Sequence, residues 1–410
     1  MKENKNLLEQ IKYVAQKSPF YKKMFEEHRI NTDDLMDFER IPFTTKDDLA
    51  HYNDDFLCVP ANHIEEYVTT SGTLGNPVSF YLTQNDTNRL ADNELNSMKL
   101  IGASKEDVFQ LMVTMDKLFM AGLAYYLGIK KLGAGIVRTG PGSPQNQLEA
   151  ILKFKSTVLI AIPSFILKLI DVATQKGIEL NKTTVKSIVC IGEPIRNEDF
   201  SLNELGKRIQ SRWNVALHST YASTEMATAF TECKAGCGGH LNDALLHLEV
   251  LNDANEPAGN GELGEVVITP LGVEGMPLLR YRTGDLCRIY FDACSCGNPT
   301  QRVGPVVGRK QQMIKFKGTT IFPAVLHEVL ANENINDYQI EVTKNDLGND
   351  EIKVWLPKEI ESETPIHQLK SSFKSKLRVT PTIDFMAHND LIKRIHPIEK
   401  RKPQKIVFTK

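Results

Sequence analysis

The sequence predicts an α/β fold, with a large amino-terminal domain of mixed sheets and helices and a small α+β carboxy-terminal domain. Apolar runs alternate with helical stretches from about residue 67 to 310, the pattern turns to strands and turns past residue 245, and a shorter unit follows residue 308. A chain of 410 residues also exceeds the size of one compact core. We therefore expect two domains, 1–308 and 309–410.

The elements of the larger domain are predicted from hydrophobic spacing. The first 50 residues carry apolar side chains at helical spacing and predict two amphipathic helices. Apolar runs and helical stretches then alternate: 108–113, 157–162 and 187–192 for the runs, and 86–101, 120–132, 145–154 and 164–177 for the helices. This alternation is typical of a mainly parallel sheet, and such sheets bind ligands at the carboxyl ends of their strands.

The later elements follow a different pattern. Residues 245–270 predict a hairpin with an Asn/Gly-rich connection and then a further strand. The smaller domain is expected to hold a helix near 323–332, a hairpin across 346–350 and a helix near 365–378. A final strand before a basic tail completes the prediction.

Composition and charge argue against several function classes. The chain is 41% hydrophobic and 24% charged, which is unlike disordered, collagen-like or coiled-coil proteins. Its 49 basic and 51 acidic residues give a net charge of −2, without the excess that binds nucleic acid or anionic membranes. We find no signal peptide and no run long enough to span a membrane. Seven cysteines, an odd number, favour a reduced, cytoplasmic compartment over a disulfide framework.

The most informative segment is VTTSGTLGNP at 68–77. Its glycines permit tight folding, and its hydroxyls and amides suit a phosphate chain, although the G-K-[ST] of a Walker loop is missing. The alternative is an ordinary Ser/Thr/Gly surface loop.

Two further segments contain candidate acidic ligands. STYASTE at 219–225 ends an apparent strand, and Glu225 beside hydroxyl groups could hold Mg²⁺ or belong to a helix cap. LRYRTGDL at 279–286 places Asp285 behind a glycine, where it could accept ribose hydroxyls or cap a turn.

Four cysteines form two close pairs, in CKAGCGGH at 233–240 and CSCG at 294–297. Their spacing in Gly-rich turns is typical of a structural zinc site. We expect the ligands to be Cys233, Cys237, Cys294 and Cys296, with His240 able to replace one of them. Unrelated reduced thiols are the alternative, and Cys287 is assigned to the core.

In this order, the motifs resemble the adenylate-forming superfamily of acyl-CoA synthetases, and most closely the phenylacetate-CoA ligase family. The resemblance covers nearly the whole chain, including SPFYKKMF, IPFTTKDDL, TTSGTLGNP, IPSFIL, IGEPI, YASTE, GELGEVVITPL, MPLLRYRTGDL and VGRKQQMIKFKGTTIFPAVLHEVL. It implies the adenylate-forming fold, with a carboxy-terminal domain that moves as a lid between two half-reactions.

The resemblance also implies roles for individual residues. In the family the Ser/Thr/Gly loop holds the ATP phosphates, Tyr221 stacks near adenine, Glu225 binds Mg²⁺, and an Asp and an Arg grip the ribose. The ATP-binding residues implied here are Thr70, Ser71, Gly72, Thr73, Gly75, Gly192, Glu193, Pro194, Tyr221, Ala222, Ser223, Thr224, Asp285 and Arg309.

The remaining implied roles concern the acid, CoA and catalysis. The acid pocket would draw on Phe119, Pro163 and Phe165, although both phenylalanines could equally be core. Lys402, with Lys400 and Lys405 as alternatives, would act in adenylation, and Lys315 and Gly318 would replace it for thioester formation with CoA. The chain departs from the family pattern at Ala222, at Gln311 in the expected hinge, and at Arg401 before Lys402.

Together these features predict an ATP-dependent aryl-acid CoA ligase, with phenylacetate as the leading substrate. The expected cofactors are ATP, Mg²⁺, CoA and a structural zinc ion. The expected partners are small molecules, with a homodimer left open. The alternatives are an adenylate-forming enzyme that loads a carrier protein or another acceptor, and a non-catalytic relative that binds acyl-nucleotides or CoA.

Overall fold

The structure is a computed structural model that describes residues 2–70, 78–345, 350–360, 366–397 and 403–409. Contacts along the chain separate two compact units, Met1–Val306 and Val307–Lys410. Each unit has buried apolar clusters of its own. The mixed α/β class predicted from the sequence is confirmed.

Unit 1 begins with three α-helices and a short hairpin. Its first elements are α1 (Lys2–Lys17), α2 (Pro19–His28), α3 (Lys46–His51), β1 (Glu66–Thr69) and β2 (Ser79–Leu82). The Ser18 hydroxyl accepts the Tyr21 amide and begins α2, and a reciprocal capping box between Thr45 and Asp48 begins α3. The two amphipathic helices predicted for this region are confirmed.

The middle of unit 1 alternates helices with parallel strands. Its elements are α4 (Gln84–Leu100), β3 (Val108–Leu111), α5 (Met120–Leu132), β4 (Gly135–Arg138), α6 (Pro144–Phe154), β5 (Val158–Ala161), α7 (Pro163–Gln175), β6 (Ser187–Cys190), α8 (Glu204–Gln210) and β7 (Ala216–Ser223). The strands are ordered β4-β3-β5-β6-β7, and all four neighbouring pairs are parallel. The predicted parallel sheet is confirmed.

Beyond β7 the same sheet becomes antiparallel. The strands β8 (Thr228–Glu232), β9 (Gly239–His240), β10 (Leu246–Leu251), β11 (Leu263–Pro270), β12 (Tyr281–Tyr290) and β13 (Arg302–Val303) extend it in the order β7-β8-β9-β13-β12-β11-β10. Strand β7 joins the two halves because residues 216–219 pair with β6 and residues 220–223 pair with β8.

Unit 2 is an α+β module. Its elements are β14 (Gly308–Arg309), β15 (Ile314–Phe316), β16 (Thr319–Ile321), α9 (Pro323–Asn332), β17 (Gln339–Lys344), β18 (Asp350–Pro357), α10 (Ile366–Leu377), β19 (Thr382–Met386), α11 (His388–Ile395) and β20 (Ile406–Phe408). Strands β19-β18-β17-β20 form one sheet. The sequence prediction missed α11 and β20, because the helix is short and both lie in a lysine- and arginine-rich stretch.

Hydrogen-bonded polar side chains connect β7 to β8 and α4. Thr220 on β7 hydrogen-bonds Thr231 on β8 at 3.1 Å between their hydroxyl oxygens, and Thr231 hydrogen-bonds Ser97 on α4 at 3.0 Å. Glu94, one turn before Ser97, is 4% exposed, and its Oε1 accepts the Asn93 amide at 3.1 Å. Burial raises the pKa of Glu94 from 4.5 to about 7.

Glu94 is expected to make the stability of unit 1 depend on pH. The folded state holds a proton that the unfolded chain releases above pH 4.5, so stability falls as the pH rises from there through about 7. Glu94→Gln mimics the neutral acid and removes this fall, which amounts to about 3 kcal/mol. Urea unfolding of both proteins at several pH values measures the difference.

The matched control is Asp92→Asn, which lies on the same helix with its side chain 51% exposed and paired to Lys131. It should leave the pH dependence of unfolding unchanged. A Glu94→Gln protein with the same pH dependence as the wild type would contradict the assignment.

Candidate active site

Four of the predicted segments follow neighbouring parallel strands at one edge of the sheet. The loop at 112–119 follows β3, Pro163–Phe165 follows β5, Gly192–Pro194 follows β6, and Tyr221–Glu225 lies at the end of β7 and just beyond it. Since these strands are parallel, their carboxyl ends meet at the same edge. The chain therefore brings these candidate residues to the place where α/β sheets bind ligands.

The loop after β3 has an unusual backbone. Lys117 and Leu118 have φ values of 60° and 58°, a left-handed conformation that costs side-chain-bearing residues energy and recurs near functional sites. A methyl group on Gly122 of α5 would lie 2.0 Å from the Thr114 carbonyl oxygen, so only glycine lets the loop pack there. Phe119 is half-buried directly before α5.

This loop is hydrogen-bonded to β1. The predicted phosphate loop connects β1 to β2 in the sequence. The Leu118 carbonyl accepts the Thr69 amide at 2.9 Å. Thr70 is 8% exposed, and its amide and hydroxyl both bond Val78, at 2.9 and 3.1 Å. Ser71, Gly72, Thr73 and Gly75 lie outside the described residues, so the structure gives the two ends of the loop.

Glu193 joins the ends of β5 and β6. Its carboxylate accepts the Ser164 amide and the Ser164 hydroxyl, both at 2.8 Å, at the first turn of α7. Pro163 is the first residue of this helix, and the half-buried Phe165 packs against an apolar cluster of unit 1. Both carboxylate oxygens are thereby bonded within the protein, which ties the predicted adenine-side segment to the predicted acid pocket.

The second motif is hydrogen-bonded to the third motif, which is distant in sequence. The Tyr221 hydroxyl donates to Asp285 on β12 at 2.8 Å, although the two residues are 64 positions apart. Burial and the charge of Asp285 raise the pKa of Tyr221 well above its ordinary value, so the phenol keeps its proton. The Tyr221 ring stacks on Phe230 of β8, with 5.8 Å between centroids and 14° between ring planes.

The other residues of this motif are exposed or only partly buried. Ala222 is exposed, the Ser223 hydroxyl accepts the Met226 amide, and the Thr224 carbonyl accepts the Ala227 amide. Glu225 is half-buried, and its Oε1 is 3.5 Å from the hydroxyl of the buried Tyr281. The carboxylate of Glu225 is therefore placed near Tyr281 while part of it stays exposed.

The predicted residues of unit 2 lie in its own strands and turns. Arg309 is exposed in β14, and Lys315 is exposed in β15, where its Nζ donates to Thr320 at 2.8 Å. Gly318 lies in the turn between β15 and β16. The Lys405 Nζ donates to the Asn336 carbonyl at 3.0 Å, whereas Lys400 and Lys402 lie outside the described residues.

The two cysteine motifs converge in unit 1. The Cys294 sulfur is 3.6 Å from that of Cys233 and 3.8 Å from that of Cys237, and the Cys296 sulfur is 3.5 Å from His240 Nε2. The potential ligand atoms of Cys233, His240, Cys294 and Cys296 all lie within 4.8 Å of one another. Tetrahedral zinc with Zn–S bonds near 2.3 Å requires donor separations of about 3.5–3.8 Å.

The surroundings of the cluster shift the pKa values of its thiols and its imidazole in different directions. Burial raises the pKa of Cys233 to about 12, while the Cys296 amide and the neighbouring thiols outweigh burial at Cys294 and lower its pKa. Burial and Arg302 lower the pKa of His240 to about 4, which keeps the imidazole neutral. Its Nδ1 lies 3.2 Å from the Thr300 hydroxyl, which leaves Nε2 for the cluster. Cys287 is fully buried, as expected of a core residue.

Sequence reasoning missed two charged residues beside these segments. Arg196 and Glu232 form a buried ion pair between the end of β6 and β8, with Arg196 Nε 2.8 Å from Glu232 Oε1. Arg196 comes two residues after Gly192–Pro194, and Glu232 directly precedes Cys233. Their positions beside two motifs were the only signal in the sequence, and their separation of 36 positions hid the pairing.

The chain is similar to known proteins over most of its length. Residues 20–273 match the AMP-binding enzyme family. The chain is 30% identical to the phenylacetate-coenzyme A ligase of Thermus thermophilus over 84% of this chain and 78% of that protein. It is 26% identical to the enzyme of the same name from Pseudomonas putida, over 95% and 92%.

A solved structure extends the similarity to the fold. The 2-hydroxyisobutyryl-CoA ligase crystallised in its postadenylation state has a TM-score of 0.82 and 21% identity, over 99% of this chain and 88% of that one. That enzyme is in complex with R3-HIB-AMP.

Within the part of this chain that the structure describes, no helix is both long and apolar enough to cross a membrane.

Proposed function

Since the chain belongs to the AMP-binding enzyme family and, within it, to the phenylacetate-coenzyme A ligases, we propose that it activates phenylacetate. It is an acid–thiol ligase that uses ATP to convert a carboxylic acid to an acyl-adenylate and then transfers the acyl group to CoA. We also propose the residues that form the site and the roles of its metals.

The nucleotide is proposed to lie at the carboxyl ends of β6 and β7. Asp285, 5% exposed, would accept the ribose hydroxyls while the Tyr221 hydroxyl holds its carboxylate in place. The Tyr221 ring, backed by Phe230, would provide the surface beside adenine. The main support for this assignment is the Tyr221–Asp285 hydrogen bond, because it joins two motifs that lie far apart in the sequence.

The phosphates are proposed to bind the loop that begins after Thr70. Ser71, Gly72, Thr73 and Gly75 supply the amides and hydroxyls for this, and the Thr70–Val78 bonds fix the two ends of the loop. Glu225 is the proposed Mg²⁺ ligand, because its carboxylate stands at the end of β7 and is partly exposed. A bound Mg²⁺ would neutralise phosphate charge.

The chemistry proposed for this site is the joining of two anions. A carboxylate oxygen of the acid attacks the α-phosphorus, the bond to the β-phosphate breaks, and pyrophosphate leaves. The sulfur of CoA then attacks the acyl carbon, and AMP leaves with its phosphate oxygen. In such a reaction the protein lowers the energy barrier by positioning the reactants and compensating their charges, because no residue has to form a covalent bond with the substrate.

The acid pocket is proposed to draw on the loops after β3 and β5. Phe119, Pro163 and Phe165 are apolar or aromatic, and the Glu193–Ser164 bonds hold the start of α7 beside the nucleotide segment. Such a pocket would suit an uncharged ring better than a second carboxylate.

Turnover of phenylacetate tests the proposed substrate. With ATP, Mg²⁺ and CoA, phenylacetate should give the highest kcat/KM in a panel of aryl and short aliphatic acids, with pyrophosphate and AMP formed in equal amounts. Coupled assays of both products measure this. A higher kcat/KM for an aliphatic or dicarboxylic acid would contradict the proposed pocket, and AMP release that ignores CoA but follows a carrier protein would contradict the proposed acceptor.

Lys402 is proposed to act in adenylation alone. Lys402→Ala should lower the rate of acyl-adenylate formation by about a hundredfold or more, since the positive charge proposed to neutralise the reacting phosphate is lost. Thioester formation from supplied phenylacetyl-adenylate should change little. Lys405→Ala is the matched control, because that amine already bonds the Asn336 carbonyl. Equal loss of both half-reactions in Lys402→Ala would refute the role.

A structural zinc ion is proposed for the cysteine cluster. The donor set of thiols and one neutral imidazole fits zinc, and the Cys233–Cys294 separation of 3.6 Å and the Cys296–His240 separation of 3.5 Å match tetrahedral coordination. The amides of Ala235 and Asn298 donate to the sulfurs of Cys233 and Cys296, which stabilises and orients sulfur ligands at such sites. We favour Cys233, His240, Cys294 and Cys296 as ligands, with Cys237 as the alternative to His240.

Metal analysis of the purified protein tests the zinc site. We expect about one zinc per chain, lost in Cys294→Ser and retained in the control Cys58→Ser, whose thiol is buried elsewhere. His240→Ala should lower the zinc content more than Cys237→Ser. Zinc near zero in the wild type would remove the proposal, and the opposite order of the last two variants would restore the four-cysteine set.

Two further assignments stay predictions. A homodimer and a cytoplasmic location are both compatible with the sequence, and gel filtration and cell fractionation test them.

A further inference from the structure

A buried ion pair connects two segments of the proposed nucleotide site. Arg196 Nε lies 2.8 and 2.9 Å from the two carboxylate oxygens of Glu232, and the side chains are 14% and 3% exposed. Buried charges of this kind hold fixed positions, because any displacement leaves a charge without its partner in a medium that solvates it poorly.

The carboxylate of Glu232 also fixes the start of the second motif. Its Oε2 accepts the Ser219 amide at 3.0 Å. Ser219 is the first residue of STYASTE and lies two positions before Tyr221. The carboxylate therefore bonds the backbone of the strand whose next residues are proposed to hold adenine and, through Asp285, the ribose.

The guanidinium of Arg196 fixes the other segment. Beyond its bonds to Glu232, its Nη1 donates to the Phe200 carbonyl at 3.0 Å and its Nη2 to the Leu217 carbonyl of β7 at 3.4 Å. Each guanidinium nitrogen thus has a partner. Because Arg196 closely follows Gly192–Pro194, these bonds hold the end of β6 against β7.

The loop of the cysteine cluster packs directly on this ion pair. Glu232 precedes Cys233, and Gly236 has a φ of 65° in the turn that follows. A methyl group on Gly236 would lie 2.5 Å from Arg196 Nη2. The turn therefore reaches the guanidinium only because residue 236 has no side chain.

We propose that Arg196 and Glu232 are positioning residues that set the placement of residues 192–194 and 219–225 around the nucleotide, and that the loop at 233–240 maintains this placement. The inference rests on the assignment of those two segments to the nucleotide. Neither residue is proposed to touch a substrate, so the pair acts through the backbone of the two segments.

Nucleotide affinity tests the pair without any acid or CoA. Glu232→Gln and Arg196→Lys should each raise the Kd for AMP by about tenfold, since small misplacements of binding groups cost large factors. In the complete reaction, both variants should raise the KM for ATP by a larger factor than the KM for the acid. Calorimetry gives the Kd, and melting temperature and metal content are recorded for every variant.

The matched control is Asp107→Asn. Asp107 is also a buried carboxylate, 2% exposed at its side chain, and it pairs with Lys186 at 2.6 Å and accepts the Thr157 hydroxyl at 2.7 Å. It directly precedes β3, at the edge of the parallel sheet opposite residues 192–194 and 219–225. Its AMP affinity should stay within about twofold of the wild type even where its melting temperature falls as far as that of Glu232→Gln.

A second pair of variants tests the cluster side. Gly236→Ala should raise the Kd for AMP because the methyl group displaces the guanidinium. Gly297→Ala should leave it unchanged, because Gly297 has a φ of 84° but nothing within 4 Å of the added carbon. Both glycines have positive φ values, 65° and 84°, so both changes strain the backbone, and only Gly236→Ala also displaces Arg196.

Three results would overturn the inference. These are an unchanged AMP affinity in both Glu232→Gln and Arg196→Lys, an equal loss in Asp107→Asn, or equal effects of the two glycine variants. Failure of the wild type to turn over phenylacetate would count against the proposed substrate instead, because the AMP measurement contains no acid.

Discussion

The pairing of β7 on both of its edges is the constraint on which the rest of the site depends. Residues 216–219 are in parallel register with β6, and residues 220–223 are in antiparallel register with β8. One strand therefore continues past the edge where the parallel strands stop, and it carries Tyr221 with it. A shift of one residue in this register would turn Tyr221 away from Asp285 and its partner Phe230, because successive side chains point to opposite faces of a sheet.

The charges around this strand are balanced locally. Glu232 is neutralised by Arg196, and Asp285 accepts the Tyr221 hydroxyl. The net charge of −2 for the chain agrees with this arrangement, since the proposed nucleotide site uses amides, hydroxyls and a few single charges in place of a basic surface. Such a site selects a small nucleotide held in one orientation.

The sequence predicted the features whose signals are local. The helix Met120–Leu132 and the parallel strands were legible because hydrophobic spacing is a property of neighbouring residues. Pairings between distant residues were not legible. The Arg196–Glu232 ion pair and the Glu193–Ser164 bonds join positions 36 and 29 residues apart, and only the fold brings them together. The proposed ligand His240 was recognised only as an alternative, because spacing alone favoured Cys237, whereas the fold turns the imidazole toward Cys296.

The most direct measurement of the proposed nucleotide site compares AMP with 2′,3′-dideoxy-AMP in the wild type and in Asp285→Asn. If Asp285 accepts the ribose hydroxyls, the wild type should bind AMP at least about tenfold more tightly than the dideoxy analogue. With the analogue, the buried carboxylate would lack the hydrogen bonds from the ribose hydroxyls. Asp285→Asn should bind the two nucleotides with nearly equal affinity. The same preference for AMP in the wild type and in the variant would contradict the placement of the ribose at Asp285.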